Sequence, residues 1–395
     1  MNQPRRIMYA LIAVLAVILV VSISYHYLST GTIAVTTNDA GSLITVTEPG
    51  AKPHKLSHGH GSVRLAPGKY VVDVTSGDKA STAIAQVARG KKTAISIALV
   101  SPAVVDTKGD FTAKSIVPDA AGVTFLNSPF KQLFHYDGAT AVTFWPDIYP
   151  VAAIYWLSPH TAYILNPDGN LQYVVDGHAT GPTAGQDTTI SLPPQSFAIN
   201  SRGELAYVTN KSVEVVDQPG AAPHVVASLP SSSWGIALSE RGDILLYDTS
   251  EGVEKAVKHS QSRYLPIDGS PRELPDMLSY ITSATISPDG AQMIYTSNGS
   301  TAVYDLKANV PGASIALQPT HPGSATWIGN SKVLYAQGTS IWLFDLASST
   351  SAKISDISGS LTVDRPFTVT PDGQVYFGTD PSTDGSGGQI YHFKL

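Results

Sequence analysis

Three histidines stand close together in KPHKLSHGHG, residues 52–61. His54, His58 and His60 lie within seven residues, and neutral imidazoles are good ligands for zinc and copper ions. The same stretch contains Lys, Gly and Ser, but no carboxylate or thiolate that would complete a ligand set. The spacing makes a metal site one hypothesis, and a hairpin loop that binds no metal is its alternative.

Motifs for hydrolysis and for nucleotide binding are missing from the chain. It contains no G-x-S-x-G, no G-x-x-x-x-G-K-[ST] and no H-E-x-x-H. The Gly-rich run DGSGG at 384–388 lacks dinucleotide-binding spacing and indicates a hairpin tip. The absence of cysteine excludes disulfides, thiolate metal sites and cysteine nucleophiles. We therefore expect no cofactor, no catalytic residue and no enzyme activity.

Asp119, Asp289 and Asp372 are acidic, but each follows a proline in a turn-like segment between apolar runs. Proline presets φ at one turn position, aspartate hydrogen-bonds the backbone locally, and a following glycine permits positive φ. These aspartates need no catalytic explanation, because the turn chemistry already accounts for them.

Turn segments of this kind recur along the chain at a nearly constant interval. One marker per unit falls at residues 118, 159, 201, 240, 288, 330 and 371, with steps of 39 to 48 residues. In each unit an apolar run precedes the turn, and the run after it holds an aromatic residue: Phe125, Tyr163, Tyr207, Tyr247, Tyr295, Tyr335 and Tyr376. Units of about 40 residues with four short strands predict an all-β fold over residues 111–395, a β-propeller of seven blades rather than six or eight. The aromatics are expected to pack between blades.

The pattern "S-P-D-G … Y … D-L", as in residues 287–306, resembles the TolB-type and WD-like β-propellers. That resemblance implies a ring of blades and little about function, because such propellers include binding platforms, peptidase accessory domains and a few lactonases. The chain ends on a third-type strand, GGQIYHFKL. Residues 100–110 therefore read as a linker in which Pro102–Val105 supplies the missing fourth strand.

Residues 32–99 form a separate unit of short alternating runs rich in Val, Ile and Thr, which predicts a small β-sandwich. Within LAPGKYVVDV, Tyr70, Val72 and Val74 fall on one face. This hairpin and the opening Gly31–Val35 resemble PEGA-like surface modules, although the tetrapeptide itself is replaced by residues 38–41. The resemblance implies a spacer or adhesion unit without catalytic residues.

The N-terminus combines basic residues with an apolar run. Arg5 and Arg6 precede residues 7–24, which carry no charge. This pattern predicts a cytoplasmic tail at 1–6, a transmembrane signal anchor at 7–24 and a linker at 25–31. The bulk of a bacterial-type envelope protein would then lie outside the cell membrane, with the membrane as one partner. A cleaved signal peptide is the alternative.

The net charge and the loops between blades indicate which partners the chain could bind and where. A net charge of −6 without a basic cluster argues against nucleic acid as a partner. By the resemblance, loops that join the outer strand of one blade to the inner strand of the next surround the channel mouth, and the longest is LPIDGSPRELPDMLSYI, residues 265–281. Large aromatic or charged residues in or beside these loops form the predicted binding rim: Trp145, Tyr149, Trp234, Arg272, Tyr280, His321 and Arg365.

The sequence thus predicts a membrane-anchored scaffold that binds a protein or glycan of the cell envelope through this rim. One alternative is a lactonase- or hydrolase-like envelope enzyme, whose metal would be held by scattered rim side chains: Asp147, Asp268, Glu273, Asp276, His321 and Asp364. Another alternative is a structural spacer.

Overall fold

The computed structural model describes residues 14–20, 29–48, 50–77, 79–105, 113–119, 122–127, 132–137, 139, 141–143, 152–167, 169–175, 178–179, 190–191, 197–209, 212–229, 234–249, 262–275, 278, 281–297, 300–314, 325–337, 339–356, 367–379 and 389–395. The chain forms two compact units. The first contains residues 1–99 and 347–354, and the second contains residues 100–346 and 355–395.

The predicted membrane anchor is contradicted. Of residues 7–24, the structure describes 14–20, which are helical, and the rest lie outside the described residues. Within the described part of the chain, no helix has both the length and the apolar character that crossing a membrane requires. The prediction of a single-pass membrane protein is therefore wrong.

Almost all described residues outside turns are in strands. Residues 31–97 supply β1 Gly31–Thr37, β2 Leu43–Thr47, β3 His54–Lys55, β4 His60–Leu65, β5 Gly68–Ser76, β6 Lys79–Val87 and β7 Lys92–Ile97. Residues 103–191 supply β8 Ala103–Val105, β9 Ala113–Asp119, β10 Gly122–Asn127, β11 Gln132–Tyr136, β12 Ala141–Thr143, β13 Ala153–Ser158, β14 Thr161–Leu165, β15 Asn170–Val175, β16 His178–Ala179 and β17 Ile190–Ser191.

The remaining strands continue the same short, regular pattern. Residues 197–297 supply β18 Phe197–Ile199, β19 Leu205–Val208, β20 Ser212–Val216, β21 His224–Ser228, β22 Trp234–Leu238, β23 Ile244–Asp248, β24 Arg263–Leu265, β25 Arg272–Glu273, β26 Ser283–Ile286 and β27 Gln292–Ser297. Residues 300–394 supply β28 Ser300–Asp305, β29 Val310–Ser314, β30 Thr326–Ile328, β31 Lys332–Gln337, β32 Ser340–Asp345, β33 Thr350–Asp356, β34 Phe367–Val369, β35 Gln374–Gly378 and β36 Ile390–Lys394.

The first unit is built from two sheets. One has the order β4-β1-β7, and the other has the order β3-β2-β5-β6 with β33 paired to β6. The predicted alternation is confirmed, because Tyr70, Val72 and Val74 of β5 are all buried. They join Ile33 and Val35 of β1 in one hydrophobic core. Each sheet therefore buries one face, as period-two alternation requires.

The second unit consists of small antiparallel sheets that follow one another along the chain. Their orders are β12-β11-β10-β9, β13-β14-β15-β16 with β17 also on β15, β18-β19-β20-β21, β22-β23-β24-β25, β26-β27-β28-β29, β30-β31-β32 and β34-β35-β36-β8. Apart from β17, strands that are consecutive in sequence are neighbours within each sheet. Repeated four-stranded antiparallel sheets of this kind are the architecture of a β-propeller.

Buried clusters join successive sheets. Phe125 and Tyr136 of the first sheet share a cluster with Ile390 of the last sheet. Tyr163 and Tyr207, from the second and third sheets, share another cluster. The predicted packing of second-strand aromatics between neighbouring sheets is confirmed for Phe125, Tyr163 and Tyr207. The cluster of Phe125 and Tyr136 with Ile390 brings the first and last sheets into contact. The pairing of β8 with β36 supplies the fourth strand of the last sheet, so β36 is not left as an unpaired edge strand.

The recurring turns lie where the sequence predicts them, between the first and second strands of each sheet. In the Pro-Asp-Gly turn of the fifth sheet, the Asp289 carboxylate accepts bonds from Ser287 Oγ at 2.7 Å and from the Ala291 amide at 3.1 Å. Gly290 adopts φ 70°, which favours glycine. Asp289 therefore acts as a turn residue.

The longest predicted inter-sheet loop, residues 265–281, is only partly a loop between sheets. Tyr264 of β24 pairs with Arg272 of β25, so residues 266–271 form the turn between the third and fourth strands of the fourth sheet. Only the segment after Glu273 leads to the next sheet. Because third-to-fourth turns lie at the same end of a sheet as first-to-second turns, Arg272 lies near the Pro-Asp-Gly turns and not on the opposite rim.

Candidate functional site

The first strands of six sheets line one cavity of about 430 Å³ in the second unit. They are β13, β18, β22, β26, β30 and β34, and they contribute side chains such as Trp156, Ile236, Ala284 and Trp327. Each of these strands is the first in its sheet and runs toward its Pro-Asp-Gly-type turn. The cavity is therefore the central channel of the propeller, where ligand sites of such folds are built.

Aromatic side chains form much of the channel wall. Phe197 and Phe367 begin their strands, and Tyr155 packs edge-on against Phe197 with ring centroids 5.2 Å apart. The Trp156 indole donates a hydrogen bond to the Ser115 carbonyl at 2.6 Å, which fixes its orientation. This wall offers flat apolar faces that pack against sugar rings, proline rings or aromatic side chains.

The end of the channel near the turns is polar. Ser201 donates through its amide and its hydroxyl to the Glu240 carboxylate, at 3.0 and 2.5 Å. Asn200 is buried and donates to the Ser239 carbonyl at 3.1 Å, which links the turns of the third and fourth sheets. The channel therefore combines aromatic faces along its wall with hydrogen-bonding groups at its turn end.

One polar group in the wall is left without a partner. The Trp327 Nε1 atom is buried and has no hydrogen-bond partner among the described residues. An indole N–H normally finds an acceptor when it is buried. Trp327 therefore lines the channel, and its buried N–H has no acceptor among the described residues.

Most of the predicted rim falls outside the described residues: Trp145, Tyr149, Tyr280, His321 and Arg365. Trp234 is described, but it is only 2% exposed and belongs to a buried cluster with Ile236 and Leu246. Its position at the start of β22 directs it into the core. Trp234 is thus a packing residue and not part of an exposed rim.

Arg272 is the other described rim residue. Its guanidinium carbon lies 5.1 Å from the centre of the Tyr264 ring, a cation–π contact. It lines a separate pocket of about 310 Å³ beside the turns of the fourth and fifth sheets. The structure therefore separates Arg272 from the central channel.

The candidate metal ligands that the structure describes do not come together. His54 is in β3 and His60 is in β4, strands that belong to different sheets of the first unit. Asp268 and Glu273 are instead exposed partners of Arg241 and Arg263. Across the described ranges, no group of three or more His, Asp or Glu side chains is arranged to hold a metal ion. Asp147, Asp276, His321 and Asp364 lie outside the described residues.

Sequence reasoning missed the channel wall, which combines Tyr155, Trp156, Phe197, Trp327 and Phe367. The available signal was position, because each of them lies in the apolar run that precedes a recurring turn. Aromatic residues in an inner strand face either the channel or the next sheet, and strand register decides between them.

Comparisons with known proteins give distant likenesses. No model of a known family matches the chain, and no curated protein matches it. Among solved structures, it is similar to the extracellular domain of the putative one component system BT4673 from B. thetaiotaomicron, with 13% identity, a TM-score of 0.47, and coverage of 74% of this chain and 39% of that chain. This chain thus spans well under half of that structure.

Two further structures show the same level of similarity. YCF48 bound to D1 peptide has 15% identity and a TM-score of 0.46 over 75% of this chain and 96% of that chain. TolB from Acinetobacter baumannii has 13% identity and a TM-score of 0.36 over 62% of this chain and 64% of that chain. TM-scores below 0.5 carry no argument about what this chain binds or does.

Proposed function

We propose that this chain is a binding or scaffold protein that holds a segment of another protein, or a glycan, in the central channel of its propeller. The observation that supports this proposal is the wall of five aromatic side chains contributed by four different sheets around one cavity. The cavity of about 430 Å³ falls within the range of small-ligand pockets. It admits one or two sugar rings or a short peptide segment.

The chemistry of the channel suits recognition. Aromatic faces supply contact area with little loss of side-chain freedom, because each ring has only two rotatable bonds. The Glu240 carboxylate at the turn end then supplies a hydrogen-bond acceptor. Tyrosine and tryptophan are enriched among residues that dominate binding energy. The channel therefore combines affinity from the wall with selectivity from the turn end.

The proposal includes two finer structural points. The seven sheets of the described residues support a seven-bladed ring. The two-sheet core of residues 31–99 supports a PEGA-like spacer.

The test compares Trp327→Ala with Trp342→Ala in the full chain. Trp342 lies in β32, two strands from Trp327 in the same sheet, is also half-buried and does not line the channel. Ligands are identified by a glycan array and by crosslinking to a peptide library, and each affinity is then measured by calorimetry. Loss of one well-packed aromatic contact is expected to weaken binding by about 2 kcal/mol or more.

The expected result is a ligand bound equally by the wild type and Trp342→Ala and much more weakly by Trp327→Ala. Equal binding by both variants would contradict the channel as the site. Turnover of a library member, with chemical change after incubation, would favour the enzyme alternative. A chain that binds no glycan and no peptide would support the spacer.

A further inference from the structure

A second pocket of the propeller is lined by charged side chains of both signs. It lies where four turns of the fourth and fifth sheets meet and has a volume of about 310 Å³. The cations are Arg241, Arg272 and Lys307, and the anions are Asp243, Asp268 and Asp289. The three positive and three negative formal charges cancel. Which cations are available to bind a ligand therefore depends on which of them are paired with carboxylates inside the pocket.

The carboxylates are engaged by other groups. Asp243 is 2% exposed and accepts bonds from Ser239 Oγ at 2.9 Å and from the Ile267 amide at 3.0 Å. Asp268 accepts a bond from Arg241 at 2.9 Å. Asp289 accepts the two bonds of its own turn, from Ser287 and Ala291. Arg241 is thereby paired as well.

Arg272 and Lys307 are the cations that remain. No salt bridge joins either of them to a carboxylate in the part of the chain that the structure describes. The Arg272 Nε atom is buried and has no hydrogen-bond partner among the described residues. A buried charged donor that stays unpaired costs free energy, which a bound acceptor would remove.

Tyr264 holds the Arg272 guanidinium in place. Its ring is 7% exposed and lies under the guanidinium at 5.1 Å. Its hydroxyl donates to the Gly290 carbonyl at 2.9 Å, so the ring is anchored to the turn of the fifth sheet. Stacking uses the face of a guanidinium and leaves its in-plane N–H groups for an acceptor.

The backbone of the fifth sheet positions the Lys307 main chain beside the Pro-Asp-Gly turn. The Lys307 amide donates to the Ala291 carbonyl at 3.2 Å, which ties the third-to-fourth turn to the Pro-Asp-Gly turn. Two cations that form no salt bridge with any described carboxylate thus line one pocket from two different sheets. Like charges held together repel each other, and an anion between them converts that repulsion into attraction.

We propose that this pocket binds a small oxyanion, a carboxylate or a phosphate, through the Arg272 guanidinium and the Lys307 ammonium group. Arg272 suits a two-oxygen acceptor because its donors form a planar fork. Lys307 adds a point charge from the exposed side of the pocket. The site is separate from the aromatic channel and does not depend on the function proposed for it.

Calorimetric titration of the full chain with sodium phosphate and with sodium succinate, in low-salt buffer, tests the proposal. The variants are Arg272→Gln and Lys307→Gln. The matched control is Arg263→Gln. Arg263 belongs to the same strand pair as Arg272, but it faces Glu273 and does not line the pocket. Melting temperatures and circular dichroism establish that each variant is folded. Lys307 is exposed, so its variant remains informative if Arg272→Gln unfolds.

We expect saturable binding of at least one oxyanion by the wild type and by Arg263→Gln. Loss of one charge-assisted hydrogen bond should weaken that binding roughly tenfold to a hundredfold in Arg272→Gln and in Lys307→Gln. The preferred titrant tells whether the natural group is a phosphate or a carboxylate. Absence of saturable binding by the wild type, or undiminished binding by Lys307→Gln, would overturn the proposal and leave ordered water as the partner of Arg272.

Discussion

The Tyr264 hydroxyl donates a hydrogen bond to the Gly290 carbonyl at 2.9 Å, from the third strand of the fourth sheet to the first turn of the fifth sheet. Tyr163 makes the same kind of bond to the Gly203 carbonyl at 3.3 Å, between the second and third sheets. Sheets of a propeller share few backbone hydrogen bonds with their neighbours, so such bonds add direction to apolar packing. The glycine of a recurring turn thus serves as an acceptor for the preceding sheet.

Replacement of Tyr264 by Phe removes this bond and keeps the ring under Arg272. We expect a loss of about 1 kcal/mol in the free energy of unfolding, because the Gly290 carbonyl also loses its partner. Urea denaturation followed by fluorescence measures the loss. Tyr391→Phe is the control, since the hydroxyl of this half-buried side chain makes a solvent-exposed hydrogen bond to Gln389 within the same sheet. Equal losses of unfolding free energy in the two variants would show that the bond between sheets stabilises the protein no more than an exposed hydrogen bond does.

Tyr264 also makes the stability of the protein depend on pH in the alkaline range. Burial, and then the nearby Asp243 carboxylate, raise the pKa of Tyr264 from 10.0 to about 12. Because the folded state favours protonated Tyr264, this side chain stabilises the folded protein. Its contribution to the free energy of unfolding is fully present below the pKa of the unfolded state and is lost as pH rises toward the pKa of the folded state.

We therefore expect the stability difference between wild type and Tyr264→Phe to be constant up to about pH 9 and to narrow from about pH 10 toward 12. Urea denaturation across this pH range, with both proteins in parallel, measures it. A difference that widened with pH would contradict the raised pKa.

Gly290→Ala should destabilise the propeller strongly. Gly290 has φ 70°, and a Cβ atom at that position would lie 1.9 Å from Asp243 Oδ2. Left-handed backbone alone costs an alanine roughly 1–2 kcal/mol, and relief of the overlap adds to this, for a total of about 3 kcal/mol or more.

Gly329→Ala is the matched control for that variant. It occupies the equivalent turn of the sixth sheet with φ 57°, and an added Cβ would meet no atom within 4 Å. Its cost should stay at roughly 1–2 kcal/mol. Thermal or urea unfolding separates the two values, and equal costs would mean that the Asp243 carboxylate moves aside freely.

Asp243→Asn should be more damaging than Asp268→Asn, although both carboxylates line the same pocket. Asp243 is buried and accepts two hydrogen bonds from fixed donors, whereas the Asp268 side chain is 82% exposed. We expect a loss of about 1–3 kcal/mol for Asp243→Asn and about 0–1 kcal/mol for Asp268→Asn. Denaturant unfolding measures both. The reverse order would show that the buried bonds contribute little.

Much of the fold follows from local sequence. A turn such as residues 287–290 is closed by its own proline, aspartate and glycine, and it recurs often enough to mark each sheet. Period-two alternation likewise places Tyr70, Val72 and Val74 on one buried face. These features depend on neighbours in the chain, so no distant contact is needed to predict them.

The N-terminal prediction failed for the opposite reason. Hydropathy and charge describe which solvent residues 7–24 would prefer, but helix length is a property of the folded segment. Among the described residues, no helix is both long enough and apolar enough to cross a membrane.

The functional positions depended on tertiary structure. Residues 266–271 contain turn residues that could close a hairpin or lead to the next sheet, and only the pairing of Tyr264 with Arg272 decides which. Trp234 stands beside a loop in sequence, yet strand register buries it. The sequence by itself determined the repeat, the turns and the alternating faces, because these are local. Tertiary structure decided which aromatics meet in the channel and which charges meet beside Arg272, because those contacts join residues from different sheets.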